Sequence, residues 1–446
     1  MGCVLGVADM RWRNARSAAR RSVAACAAII AMQGIAPPAH ATEGYFQYGY
    51  GARQKALAGA GVADSRDATA AALNPAGLVH APAELAISGT LFSPLRGYTG
   101  SGAQGFSPTP NGVHDSDSNY FPVPNLAFTY RDHGLPFVDV IGVTVYGNGG
   151  MNTDYPGNGP GSGPFSFGKA GVDFEQAFLS VAFAKTLAPG LSVGVAPILA
   201  RQQIKLEGLE AFGGASIDGA HVTGQGTDVS WGAGVRAGVE WALAPRLRIG
   251  VAGNSRIYTH EFEKYRGLFA EQGDFDVPAS LQAGIAFDVT PNLTFLADYK
   301  HIWYGSVASI ANPSTNIQSG ALPGADNGPG FGWRDIDIIK VGAEWRNLGN
   351  LTLRAGYAYN TSPVQSRDVQ FNILAPAVVQ HHVTGGLEYA WSRNLSLEVA
   401  GAYVPEANLS GTDLFSPTHT IELNMHQWEA TLGVKYRFDA EPAALK

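Results

Sequence analysis

Few residues of this 446-residue chain are spaced for bond-making chemistry. It contains no Gly-x-Ser-x-Gly elbow that would expose a serine nucleophile. Asp115-x-Asp117-x-Asn119 opens like a calcium loop, but Tyr120 stands where the turn needs glycine and Leu126 where a glutamate would close the site. That segment reads as a solvated loop. His381 and His382 are neighbours, so in a strand their rings point to opposite faces and cannot share an ion. Neither a metal nor a cofactor is expected. What remains is the chemistry of holding apolar molecules. Glu43, Gly44, Tyr45 and Phe46 set two aromatic rings beside a glycine, a tip able to fill an apolar pocket and be displaced from it. The same rings would equally serve as fixed anchors. Asn148, Gly149 and Gly150 offer the backbone freedom of a kink or bulge, or of a strand giving way to a loop.

A tip and a kink need a wall. Over residues 227–243, Val229, Trp231, Ala233, Val235, Ala237, Val239, Trp241 and Leu243 occupy one face. Ser230, Gly232, Gly234, Arg236, Gly238 and Glu240 occupy the other. Strict period-two alternation over this length is a strand greasy on one side and polar on the other. The last strand repeats it, with Trp428, Ala430, Leu432, Val434, Tyr436 and Phe438 against Glu429, Thr431, Gly433, Lys435 and Arg437. The step from Trp231 to Trp241, at about 3.3 Å per residue and a tilt of roughly 40°, climbs about 25 Å, the height of a barrel's lipid-facing band. Tryptophan at both ends of such a band makes an aromatic girdle.

Fourteen strands of this kind are expected, beginning near residues 83, 122, 137, 171, 191, 227, 247, 278, 293, 335, 351, 381, 395 and 425. Short connections alternate with long ones rich in Gly, Pro and Asn, as periplasmic turns alternate with extracellular loops in outer-membrane barrels. The long ones are expected over 93–121, 148–170, 207–226, 263–277, 305–334, 361–380 and 404–424. The predicted fold is all-β, a 14-stranded antiparallel transmembrane β-barrel. A soluble sandwich is the alternative, and it does not ordinarily bracket its apolar faces with tryptophan or alternate its loop lengths so regularly.

Residues 42–82 differ from everything after them, being rich in Gly and Ala and poor in β-branched side chains. They read as an N-terminal hatch plugging the barrel, which spans 83–438. Short helices are expected over 51–63 and 67–73, the second capped by Ser65 or Asp67 and ended by Asn74-Pro75. Residues 1–41 have the layout of a secretory signal, with Arg11, Arg13, Arg16, Arg20 and Arg21 ahead of a short apolar run and Ala39-His40-Ala41 as the cleavage site. Met10 is a second candidate start. Arg20-Arg21 and Val23-Ala24-Ala25-Cys26 imitate twin-arginine and lipoprotein signals, but no apolar run separates the basic cluster from the cysteine. Cys3 and Cys26 are the chain's two cysteines, so the mature protein would have no thiol chemistry. The formal charge is −7, and cleavage makes it more negative by removing five arginines against one aspartate. Nucleic acid is not expected as a partner. Phe438 is the terminal aromatic of the barrel, and 439–446 a periplasmic tail.

With these residues in view, the chain resembles the FadL/TodX (OMPP1) family of outer-membrane transporters for hydrophobic compounds. Residues 45–77 resemble the family's hatch, closing on its Asn-Pro-Ala motif at Asn74, Pro75 and Ala76. Residues 148–155 resemble the end of its third strand, and 332–364 a further family block. The resemblance implies a passive, non-enzymatic transporter of fatty acids or hydrocarbons, working as a monomer among outer-membrane lipid and lipopolysaccharide. Cargo captured by outer loops would reach a greasy pocket, displace the tip formed by Glu43, Gly44, Tyr45 and Phe46, and leave sideways through a gap at Asn148, Gly149 and Gly150. A fatty-acid carboxylate would need cations, for which the family comparison points to Arg201 and Lys205 on strand five. No lysine occurs over 306–310, where a second would be sought, which leaves room for neutral cargo. Lys300, Arg236 and Arg354 are the other candidates, or they pair with Asp298, Glu240 and further acids as structural ladders. The rival functions are a general porin, which should have a wide charged lumen and no plug, and an outer-membrane lipase, which needs a Ser–His pair at the outer rim.

Overall fold

The computed structural model describes residues 43–131 and 137–438. The expected signal segment and the expected tail after Phe438 lie outside the described residues. Fourteen long strands run in chain order around a barrel. They are β1 (Glu84–Gly102), β2 (Phe121–Arg131), β3 (Val140–Tyr155), β4 (Ala170–Ala188) and β5 (Leu191–Glu207). Next come β6 (Asp228–Ala244), β7 (Leu247–Asn254), β8 (Ser280–Thr290), β9 (Leu293–Ile302) and β10 (Ile336–Leu348). The last four are β11 (Leu351–Asn360), β12 (His381–Ala390), β13 (Leu395–Thr412) and β14 (His419–Arg437). Each pairs antiparallel with its neighbour, and β1 closes on β14 from Glu84↔Arg437 to Gly102↔His419. Two short strands, Gly112–Asp115 on β1 and Tyr258–Thr259 on β6, decorate the outer end.

The period-two pattern sorts itself as expected. On β6, Val229, Trp231, Val235, Val239 and Trp241 are exposed on the outer surface, while Ser230, Arg236 and Glu240 are buried in the lumen. Trp345, Trp391 and Phe438 are exposed at the periplasmic end, beside Trp241. The strands differ most from expectation at the outer rim. β1 continues to Gly102, β3 to Tyr155 and β13 to Thr412, and β14 starts at His419 rather than near 425. Above the bilayer the alternation reverses its sense. Ile421 and Leu423 point inward and are fully buried, while Thr420 and Glu422 face out. A reading tuned to an apolar outer face takes that stretch for loop.

The hatch fills the lumen. Its helix α1 (Gly51–Ala56) stops well short of residue 63, because the backbone turns left-handed at Ala58 (φ 53°) and Gly59 (φ 75°). A side chain at Gly59 would strike the Tyr48 carbonyl at 1.7 Å. The second expected helix is a 3-10 turn, Ala68–Ala72, whose first free N–H groups are capped by Asp67 accepting from the Thr69 amide. Asn74 both ends that turn and starts another, Pro75–Val79, accepting from the Ala76 amide. Its side-chain amide donates to the carbonyls of Val62 (2.7 Å) and of Val239 on β6 (3.1 Å). Asn74, Pro75 and Ala76 therefore fasten the hatch to the wall as well as turning the chain.

Charge fixes the hatch at its periplasmic side. Arg53 pairs with Asp64 (2.7 Å) and Glu344 (2.8 Å), and Lys55 with Glu429 (2.5 Å). Arg248 joins Asp64 to Asp288, and Arg354 gathers Glu344, Glu388 and Glu398. Asp298 accepts the Gly61 and Val62 amides at 2.8 and 2.9 Å. Buried charges of this kind are tolerated only when paired and hydrogen-bonded, and removing one partner is strongly destabilising.

Candidate cargo pocket and gate

The tip of the hatch is a tight turn. The Glu43 amide donates to the Phe46 carbonyl (2.9 Å) and the Phe46 amide returns to Glu43 (3.2 Å). Gly44 takes φ 69° against the Tyr304 ring, where a Cβ would lie 2.6 Å from the hydroxyl oxygen. The Tyr304 hydroxyl donates to the Glu43 carbonyl (2.6 Å) and accepts from the Tyr45 amide (3.2 Å). The Glu43 carboxylate is buried between Lys300 on β9 and Lys340 on β10, each 2.6 Å away. Burial alone would raise its pKa, but Lys300 and then Lys340 outweigh that and hold the carboxyl below its ordinary value.

Past this clamp, Tyr45 is 1% exposed and enters a box of rings. Its ring centroid lies 5.1 Å from Phe46, 5.2 Å from Tyr304, 5.7 Å from Phe174, 5.9 Å from Trp333 and 6.3 Å from Phe275. The rings continue outward. Phe275 meets Phe269 at 5.1 Å and Trp333 meets Phe331 at 6.2 Å. Phe269 and Phe331 line an apolar hollow among the outer loops, with Phe165, Phe212, Phe371 and Leu374. A second, small cavity lies beside the tip, lined by Gly44, Pro94, Gly150, Met151, Trp333 and again Leu374.

The wall next to that cavity is broken. Asn148 is an extra residue in the β3–β4 ladder, which steps from Gly147↔Ala177 to Gly149↔Gln176. One added residue reverses which side chains face in, so Tyr146 below the bulge and Met151, Thr153 and Tyr155 above it all point to the lumen. On its other edge β3 pairs with β2 only from Val140↔Arg131 to Tyr146↔Asn125. Pro122, Val123 and Pro124 of β2 are paired with β1 instead, and two prolines there lack the N–H that a further ladder requires. The hatch tip takes the place of β2: the Gln47 amide donates to the Asn148 carbonyl (2.9 Å), and the Gly150 amide to the Tyr45 carbonyl (3.0 Å). Gly149 lies so close that a Cβ would sit 1.8 Å from the Tyr45 oxygen. Asn148 is held from inside by the Tyr50 hydroxyl (2.8 Å) and Gln176 (3.0 Å). Above the gap, Arg96 of β1 reaches across to donate to the Asn152 carbonyl from Nε at 2.8 Å.

The structure thus brings Glu43, Gly44, Tyr45 and Phe46 onto Asn148, Gly149 and Gly150. It does not bring Arg201 and Lys205 to them. Both lie on the outer face of β5, in phase with Val195 and Leu199, and engage Gln203 (2.9 Å) and Glu207 (2.5 Å). The lumen face of that strand carries Ile198, Ala200, Gln202 and Ile204. Lys300 does not pair with Asp298, which is occupied by hatch amides and Gln282. Arg236 donates to Asn254, Tyr146 and the Ala71 carbonyl rather than to Glu240. Sequence reasoning does not reach Lys340, Tyr304, Phe174 and Phe275, because each lies on a face or loop whose partner is more than a hundred residues away. At the outer rim Asp413 pairs with His419 (2.9 Å), but Ser107 bonds the aspartate and Asn111 the far ring nitrogen (3.1 Å). That order places no hydroxyl where the imidazole could activate it.

No curated protein matches the chain in sequence. Among solved structures, the Pseudomonas putida toluene transporter TodX covers 88% of this chain with 100% of its own, at 18% identity and a TM-score of 0.63. A Pseudomonas aeruginosa FadL homologue covers 89% with 100% of its own, at 15% identity and TM-score 0.64. The Ralstonia pickettii toluene transporter TbuX covers 88% with 99% of its own, at 18% identity and TM-score 0.58. At these identities the likeness is one of fold. The model of the outer membrane transport protein family OMPP1/FadL/TodX, however, matches residues 46–439, nearly all of the barrel and hatch. The chain belongs to the FadL/TodX family of outer-membrane transport proteins.

Proposed function

We propose that this protein passes hydrophobic small molecules, fatty acids or aromatic and aliphatic hydrocarbons, passively across the outer membrane, with its hatch tip as gate and the gap between β2 and β3 as exit. Cargo partitions into the outer hollow, follows the rings to the Tyr45 box, displaces the tip and leaves sideways. The observation that carries this reading is the substitution of the hatch tip for β2 along the bulged edge of β3. A plug whose mobile end replaces a missing wall opens the wall when it moves. The downward route is closed to apolar cargo by the layer of ion pairs joining Arg53, Asp64, Arg248 and Glu344. Partitioning of apolar surface supplies the driving force. A general porin fits poorly, since the hatch occupies the lumen.

Deleting Asn148 tests the route. The deletion removes the extra residue and makes the β3–β4 register continuous, while Met151, Thr153 and Tyr155 keep their inward facing. β3 is then free to rejoin β2. Cells expressing the variant should lose uptake of toluene and oleate while the barrel still inserts and migrates as a folded species in cold detergent gels. Undiminished uptake would remove the sideways exit from consideration.

A further inference from the structure

The ring filling the box belongs to a tyrosine, and a tyrosine side chain is chemically a 4-alkylphenol. Its hydroxyl is buried, with the side chain of Gln176 on β4 beside it. The Tyr45–Gln176 approach falls short of full hydrogen-bond geometry, and the hydroxyl, Gln176 Nε2 and Gln202 Oε1 are all left without a well-formed partner. Gln176 and Gln202 are direct cross-strand partners with inward side chains, 1% and 0% exposed. The rest of each amide is engaged: Gln176 Oε1 accepts from Asn148 (3.0 Å) and Gln202 Nε2 donates to the Phe275 carbonyl (3.1 Å). One donor and one acceptor are therefore left over, side by side, at the edge of an aromatic box. Buried polar groups without partners are rare and costly. A hydroxyl is both donor and acceptor and would satisfy the two at once.

Tyr45 cannot do so because it is held at both ends of its own peptide. Its amide is bound to Tyr304 (3.2 Å) and its carbonyl to the Gly150 amide (3.0 Å), which fixes the reach of the ring. An untethered molecule of the same shape is under no such constraint. We infer that the preferred cargo of the Tyr45 box is a monocyclic aromatic carrying a single uncharged hydroxyl, a 4-alkylphenol, for which Tyr45 is the built-in stand-in. The inference rests on the transport reading above and specifies its substrate class. It also gives the gate a reason to open: a free phenol makes hydrogen bonds in the box that the tethered one leaves unmade. A hydrocarbon of equal size matches the rings but strands the two amides. A carboxylate cargo lacks the donor that Gln202 Oε1 needs.

The experiment is equilibrium binding of p-cresol, toluene and oleate to the full mature chain in detergent, with partition into protein-free micelles subtracted. p-Cresol should bind roughly tenfold or more tighter than toluene, the return on two neutral hydrogen bonds. Gln202→Leu and Gln176→Leu should each shrink the ratio of p-cresol to toluene affinity toward unity, and that ratio, not either affinity alone, is the readout. Equal affinity of the wild-type protein for p-cresol and toluene overturns the inference and leaves the transport reading standing. So does a p-cresol preference that persists in both variants. Tightest binding of oleate also overturns it, in favour of acid cargo. Binding of none of the three overturns this inference and the transport reading together. The wild-type comparison decides the matter even if a variant fails to fold.

Discussion

Replacing Glu43 with glutamine should release the hatch tip without unfolding the hatch. The carboxylate is the shared partner of two buried ammonium groups, each 2.6 Å away. In the variant Lys340 keeps the Tyr48 carbonyl at 2.9 Å, and Lys300 keeps a position 5.8 Å from the Phe46 ring centre. Neither contact neutralises a charge. Breaking a buried pair from one side costs about 3–5 kcal/mol. Here the cost falls on the docked tip alone, because an undocked tip lets water reach both lysines. The ratio of undocked to docked tip should then rise roughly a hundred- to several-thousand-fold. A cysteine at position 47 reads this out. Gln47 is 1% exposed and neither end of its amide makes a hydrogen bond, so Gln47→Cys removes no side-chain contact of that kind. The chain's own cysteines, Cys3 and Cys26, precede the expected cleavage site. Labelling of position 47 by a membrane-impermeant, charged maleimide, added to purified protein, should accelerate by at least two orders of magnitude when Glu43→Gln is added. The pH dependence gives an internal control. Because the Glu43 carboxyl is held below its ordinary value, the clamp is fully present above the ordinary carboxylate range and is lost only as pH falls through the lowered value. Relative to the rate for a free thiol at the same pH, labelling should therefore accelerate in acid for the Glu43 protein and stay flat for the glutamine variant. Equal labelling rates at neutral pH would refute the clamp.

Gly149→Ala places a Cβ 1.8 Å from the Tyr45 oxygen, so the tip must leave the bulge; the same labelling assay should show it undocked, with Glu43 intact. Arg53→Ala removes a cation shared by Asp64 and Glu344, which retain Arg66, Arg248, Arg346 and Arg354. The loss should be about 3 kcal/mol, the low end for a buried pair, seen as faster proteolysis of the hatch in an intact barrel. Arg201→Ala with Lys205→Ala should leave oleate and toluene affinity unchanged within about twofold, since exposed ion pairs contribute little and both side chains lie outside the wall. A tenfold loss would return a carboxylate site to β5.

The barrel was legible because a membrane dictates a repeating local rule. Each strand of the wall must be apolar outside, and Val229 to Leu243 say so without reference to any other part of the chain. The rule stops at the headgroups. Ile421 and Leu423 obey the opposite one, packing inward among the loops, so a rule of outward apolar residues does not mark them as strand. The parity that misplaced Arg201 and Lys205 was itself in the sequence: Val195 and Leu199 share their phase on β5 and face out. The gate was legible only as a set of separate pieces. Glycines at 149 and 150 mark backbone freedom, but whether freedom becomes a bulge or a loop depends on a partner strand. Here Gly149↔Gln176 continues the ladder past the extra residue. The clamp was out of reach for the same reason, since Glu43 meets Lys300 across 257 residues of sequence.

The anchors of the hatch also bear on the order in which the molecule comes together. The hatch is made first, yet Lys55 finds Glu429 only 374 residues later, and Asp67 waits for Lys435. Both late partners, the acceptor Glu429 and the cation Lys435, lie on β14, the strand that also closes the seam with β1. Contacts so distant in sequence form late, after the loop-closure entropy of the whole chain has been overcome. Hatch seating and seam closure therefore depend on one strand. A chain interrupted before β14 would be left with an open sheet edge and an untethered hatch, two defects from a single omission, so the final strand acts as a checkpoint for a complete and sealed pore.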